Sequence, residues 1–166
     1  MQLRIENDLF ETMFAREYRG VVAAARRIVG GAAAEDIAQE AFAALYRTGP
    51  SDPAHARNWL YRTTMHRAIS ALRTDRRRYA RESNLAEVGV ASQPDAVVER
   101  SELREEVQAV LRRMHRRYAI ILALRHSGLS YKEIASVMDL KINQVGTLLV
   151  RAEAAFKKEL DRVTPH

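Results

Sequence analysis

Late in the chain, Asn143, Thr147, Val150, Arg151 and Lys158 fall on the outer arc of one helix with Gln144 at its edge, and so bring amides, a hydroxyl and cations together. Asn and Gln can each bond an adenine edge in two places, and Arg or Lys can read guanine or hold a phosphate. A second group lies upstream: Asn58, Trp59, Arg62, His66 and Arg73, followed by Arg76 and Arg77 within a run of three arginines. Wound at about 100° per residue, Trp59, Arg62, His66, Ser70 and Arg73 fall within about 80° of arc. Residues 57–81 hold eight arginines and one acid, so they carry +7 in a chain whose net charge is +6. A charge run is usually a solvated face. Joined to a Trp, a Tyr and a proline-bearing loop, it suits unpaired nucleic acid, where bases stack on rings and arginines hold the backbone. His66 reads as a polar contact, because no second His or carboxylate stands near it at metal-ligand spacing.

A third group, Asp36, Gln39, Glu40 and Phe42, has a different character. Before Arg47 its helix carries three acids and no base, in a basic protein. Glu35 and Asp36 could simply complement the helix dipole. Alternatively, the acids form a docking face for a basic partner, with Phe42 as an aromatic anchor. The residues alone leave both readings open.

Helices must position all three groups. Residues 127–160 read as two helices joined by a tight turn. Ser130 and Glu133 have capping-box spacing, and residues 139–141 break the pattern. Val145, Leu149, Ala152, Phe156 and Leu160 then form one apolar stripe. That layout is a helix-turn-helix. Upstream, Phe10, Phe14, Tyr18, Val21, Val22, Ala25 and Ile28 predict a helix or a closely spaced pair over 7–29 with this stripe in the core. A second helix is predicted over 34–47, buried through Ile37, Ala41, Ala44 and Leu45. Residues 48–56 read as a loop with no helical option, and 57–78 as a third helix. Residues 82–100 have linker composition. Ser101 is placed to cap the next helix, whose Leu103, Val107, Val110, Leu111 and Met114 read as core. The reading is therefore an all-α protein: a domain at 1–80, a linker at 81–100, and a domain at 101–163 containing the helix-turn-helix.

Composition agrees with this. Of 166 residues only seven are Gly and four Pro, which favours helix. The absence of cysteine excludes disulfides, thiolate zinc sites and cysteine nucleophiles. No apolar run approaches the roughly 18 residues of a membrane span. With Arg4, Glu6 and Asp8 near the start, a soluble, cytoplasmic protein without membrane insertion is expected. Scattered histidines and the lack of a phosphate-cradling Gly loop leave no catalytic residues, metal or cofactor to propose.

The segments AEDIAQEAF, NWLYRTTMHRAISALRTDRRR, LRHSGLSYKEIASVMDL and VGTLLVRAEAAF, in this order and spacing, resemble the extracytoplasmic-function (ECF) sigma factors of bacterial RNA polymerase, within the sigma-70 superfamily. The resemblance covers nearly the whole chain. It implies that Asp36, Gln39, Glu40 and Phe42 belong to a helix docking on the polymerase β′ clamp helices. It implies that the loop at 48–56 and the helix bearing Asn58, Trp59, Arg62, His66 and Arg73 capture the melted −10 element. It further implies that Lys141, Asn143, Gln144, Thr147 and Arg151 read the −35 duplex while their domain packs on the β flap. An anti-sigma partner is a common companion of such proteins. This chain departs from the family at His66 and Ser70, where Asn and Asp are usual. It departs again at Gly146, Leu148 and Glu153, where bases are common. Two other readings remain at this point: a stand-alone helix-turn-helix regulator, which would need a dimer interface, and a helical interaction module that does not read DNA.

Overall fold

The computed structural model describes the backbone of residues 5–82 and 95–164, and side chains for 5–74 and 99–164. The described elements are all helices: α1 (Asn7–Arg26), α2 (Gly31–Thr48), α3 (Pro53–Glu82), α4 (Asp95–Arg113), α5 (Arg116–His126), α6 (Tyr131–Met138) and α7 (Ile142–Val163). Helices α1, α2 and α3 pack mutually, as do α5, α6 and α7 with α4 laid on α7. Most of the linker expected at 81–100, and the side chains of Arg76 and Arg77, lie outside the described residues.

Three boundaries differ from the sequence reading, each for a local reason. Helix α3 starts at Pro53, inside the segment expected to be a loop. Proline suits the first helical position, where its missing N–H has no intrahelical acceptor. The carboxylate of Asp52 accepts from the His55 N–H at 3.1 Å, as an N-cap does. Helix α4 starts at Asp95, so Ser101 lies within it rather than capping it. His115 separates α4 from α5 and caps α5, its Nδ1 accepting from the Arg117 N–H.

Phe14 and Phe42 exchange their expected roles. Phe42 is 2% exposed, and Phe14, read as core, is 41% exposed. The ring of Phe42 meets those of Phe14 at 5.0 Å, Tyr18 at 6.0 Å and Phe10 at 6.2 Å. Helix α2 packs on both α1 and α3, which buries a wider arc than a single apolar stripe marks. Leu103, read as core, is likewise exposed.

In the second half, Ser130 caps α6 with a complete capping box. Its hydroxyl accepts from the Glu133 N–H at 3.2 Å, and the Glu133 carboxylate accepts from the Ser130 N–H at 2.7 Å. Asp139 ends α6 in the left-handed region, φ 54°. There an Asp costs less than most residues, since its short polar chain bonds locally. Ile134, Val137, Val145, Leu149 and Ala152 close the core of the helix pair.

Candidate nucleic-acid interface

The described members of the three candidate groups fall on three helices with different surroundings. On α2, Asp36, Gln39 and Glu40 are exposed and share one face. Glu40 pairs with Arg67 at 3.2 Å, a surface contact worth little by itself. Phe42 does not stand on this face: it is buried against α1, and acts by fixing how α1 and α2 pack.

On α7, Lys141, Asn143, Gln144, Thr147 and Arg151 are exposed, as expected for a face that meets a duplex. Gln144 has a structural task too. Its side-chain oxygen accepts from the Lys141 N–H at 3.0 Å, half of a capping box. The amide nitrogen of Gln144 takes no part in that cap. Leu148, where the family often has a base, is buried with Leu149. Val150, beside Asn143 on the outer arc, is 66% exposed.

On α3 the arginine row runs along the side that meets the second half of the chain. Arg62 donates from Nε to the Val137 carbonyl at 3.0 Å, and Arg73 donates to the Met114 carbonyl at 3.2 Å. Arg116, on α5, donates to His66 Nδ1 at 3.1 Å and reaches the Ser70 hydroxyl at 3.4 Å. An arginine always donates, so His66 accepts through an unprotonated Nδ1. Partial burial, then the charges of Arg116 and Arg62, hold the His66 pKa below its ordinary value. Asn58, Trp59 and Arg62 line a groove of about 900 Å³ with Ser136, Asp139 and Ile142 across it. The α3 ridge and the start of α7 thus share one cleft.

Sequence reasoning missed Arg57. It donates from Nε to Glu17 at 3.1 Å and from Nη2 to Glu133 at 3.2 Å, and lies over the Tyr61 ring at 5.1 Å. It therefore ties α1, α3 and α6 together. The Glu133 carboxyl is held below its ordinary pKa, first by the Ser130 N–H, then by the Ser130 hydroxyl and Arg57. Burial, followed by the charge of Glu17, raises the Tyr61 phenol to about 12. Gly20 admits Tyr61: a Cβ there would collide with the phenol oxygen. The sequence signal available for Arg57 was its place at the head of the arginine-rich helix, but its acidic partners lie 40 and 76 residues away.

An arginine- and Trp-bearing helix joined to a helix-turn-helix defines a two-part, nucleic-acid-facing helical protein. Comparisons with known proteins narrow this. Residues 13–78 match the family description "Sigma-70 region 2" and residues 104–156 match "Sigma-70, region 4". The ECF RNA polymerase sigma-E factor of Escherichia coli K12 is 30% identical over 165 residues, covering 91% of this chain and 86% of that protein. The RNA polymerase sigma factor YlaC of Bacillus subtilis is 29% identical over 136 residues, 78% of each chain. In fold, the chain is similar to CnrH, solved in complex with the cytosolic domain of CnrY, with a TM-score of 0.60, 21% identity and coverage of 96% and 92%. It is also similar to the sigma factor RpoE of Bartonella quintana, solved with the anti-sigma factor NepR, with a TM-score of 0.51, 18% identity and coverage of 92% and 96%. The chain belongs to the ECF sigma factors of the sigma-70 family. It serves transcription initiation, with region 2 and region 4 domains for −10 and −35 recognition, and it is not an enzyme. Sigma factors bind core RNA polymerase and promoter DNA. No helix among the described residues is long and apolar enough to cross a membrane.

Proposed function

We propose that the work of this sigma factor is divided among three helices. The exposed acidic face of α2, through Asp36, Gln39 and Glu40, docks on the β′ clamp helices of the polymerase, with Phe42 holding the face in place from within. The ridge of α3, through Asn58, Trp59, Arg62, His66 and Arg73, captures unstacked −10 bases and grips their phosphates, with Arg76 and Arg77 continuing the charge. Lys141, Asn143, Gln144, Thr147 and Arg151 read the −35 duplex while their domain rests on the β flap. The domains are 1–80 and 101–163, joined by 81–100. The protein works in the cytoplasm under the control of an anti-sigma factor, the kind of partner named for the Bartonella quintana RpoE structure.

The observation that carries the mechanism is the alignment of Arg62, His66, Ser70 and Arg73 along α3, bonded to the helix-turn-helix half. Elements at −10 and −35 lie about 25 base pairs apart, about 85 Å of duplex at 3.4 Å per pair. A shared cleft cannot serve both at once. The closed arrangement is therefore a resting form, and polymerase separates the domains when it binds them at two places. Each strand-opening step costs about 1.4 kcal/mol of stacking. Capture of the freed bases by a ready-made ridge offsets that cost.

The test is a double variant, Arg62→Ala with Arg73→Ala, in transcription with core polymerase on a promoter selected from a randomised library. Loss of two charge-assisted contacts predicts a fall in open complex of about 100-fold or more, with polymerase affinity unchanged. Wild-type protein that fails to bind core polymerase would overturn the docking proposal. A double variant that opens the promoter normally would remove α3 from the mechanism.

A further inference from the structure

Where α3 meets α5, a pocket of about 300 Å³ is lined by Arg62, His66, His115, Arg116 and Arg117, over an apolar wall that includes Ile120. Among the described residues no carboxylate lines it. Among the described residues, Arg62, Arg116 and Arg117 form no ion pair with an acid, whereas Arg26, Arg57, Arg67, Arg113 and Arg162 all do. Arg62 and Arg116 spend their hydrogen bonds on two carbonyls, a hydroxyl and an imidazole. These neutral acceptors satisfy donors and leave the charge in place. Three guanidinium groups gathered without an anion repel one another.

The pocket is also split between the domains. Arg62 and His66 come from α3; His115, Arg116 and Arg117 come from the start of α5 and its cap. The full set exists only while the domains are together. Guanidinium forks match phosphate oxygens in pairs, so the chemistry points to a phosphate group. We propose that this pocket binds a small phosphate-bearing anion, of which pyrophosphate is the simplest probe, and that occupancy holds the two domains closed. A ligand that binds only the closed form favours it as the logarithm of its concentration over its dissociation constant. Such an anion would hold the α3 ridge away from promoter strands until polymerase or dilution released it. The backbone of a single strand offers the same chemistry. A strand, however, also needs the rest of the covered α3 ridge, so its binding draws the domains apart.

The binding is measured on the free chain, so its failure leaves the sigma-factor assignment untouched. Only the consequence for promoter capture rests on the function proposed above. The chain has no native cysteine, so Ala43→Cys and Ala154→Cys, both at exposed positions, accept a donor and acceptor dye cleanly. Titration of the full chain with pyrophosphate at constant ionic strength should raise energy transfer saturably, and a single-stranded −10 oligonucleotide should lower it. Arg117→Ala removes a cation that makes no side-chain bond across the interface among the described residues, and should weaken pyrophosphate at least about tenfold. Calorimetry of unlabelled protein reads the same binding if the chain is already fully closed. The proposal falls if neither method detects saturable binding. It falls equally if sodium chloride reproduces the effect, or if Arg117→Ala combined with Arg116→Ala binds as tightly as the native chain.

Discussion

The two surfaces that meet nucleic acid in a sigma factor are treated oppositely by this fold. On α7 the polar face is open to solvent, and its residues make few contacts beyond their own helix. On α3 the corresponding row is engaged by the other half of the chain through Arg62, His66, Ser70 and Arg73. The difference follows from what each face must do. A duplex is present before initiation begins, and reading it requires no exposure of hidden groups. Unpaired strands exist only after opening, and under the proposed function the ridge that captures them is also adhesive toward any carbonyl. Packing that ridge against the helix-turn-helix half gives its donors acceptors in the meantime.

The largest break in that comparison should come from Arg116→Ala. This removes the donor to His66 Nδ1, to the His66 carbonyl and to the Ser70 hydroxyl. A net loss of about 1.5 kcal/mol from the closed form corresponds to roughly a tenfold shift toward the open one. Affinity of the free chain for a single-stranded −10 oligonucleotide, measured by fluorescence anisotropy, should rise several-fold, while affinity for duplex −35 DNA should not move. Unchanged strand affinity would mean that α3 is as open in solution as α7.

Acid should sharpen the contrast in two stages. His66 has an ordinary value of 6.5 and a lowered one in the closed form. Above 6.5 the imidazole is neutral in both forms, and closure is at full strength. Below 6.5 the open form takes up a proton that the closed form resists, so closure weakens until the pH passes the lowered value. The charges acting on the imidazole push the same way, Arg116 from the second half and Arg62 from its own helix, and His115 and Arg117 line the same pocket. Protonation also destroys the acceptor that Arg116 uses. Glu133 acts later and in the same direction: its depressed pKa stabilises the fold above the ordinary value of 4.5, and that contribution is lost as pH falls through the lowered value. Energy transfer followed against pH should show the first loss in the native chain. The loss should vanish in His66→Gln, which keeps an acceptor but does not titrate.

How much of this was legible in the sequence depended on the range of the interactions. The capping box at Ser130 and Glu133, the break at residues 139–141 and the apolar stripe of α7 are local, and all are found where periodicity and cap chemistry place them. The start of α3 was misread because its prolines outweighed Asp52-Pro53, which is also a helix-opening pair. Phe14 and Phe42 were interchanged because a stripe tells which arc is apolar, but not that α2 lies between two neighbours. The exposed groups on α2 and α7 were recoverable from winding alone. The closure of α3 was not. Its bonds run from arginines to backbone carbonyls 41 to 75 residues away, and a carbonyl leaves no mark in a sequence.

The smallest expected effect lies on the open face. Gly146 sits inside α7, one turn from Asn143 and Val150, and a Cβ built there comes to 3.7 Å from the Tyr131 ring, an ordinary contact. Nothing in the fold requires glycine at this site, and its helical penalty is about 0.8–1.0 kcal/mol relative to alanine. Gly146→Ala should therefore stabilise the helix-turn-helix half by up to about 1 kcal/mol, seen as a raised urea midpoint with an unchanged slope. Closure over α3, read by energy transfer, should stay the same, because residue 146 does not touch that helix. If duplex affinity falls while stability rises, the missing side chain is serving the approach of DNA rather than the packing of the protein. If both rise together, stiffening the reading helix is enough to improve it, and the open face is limited by its own flexibility where α3 is limited by its cover.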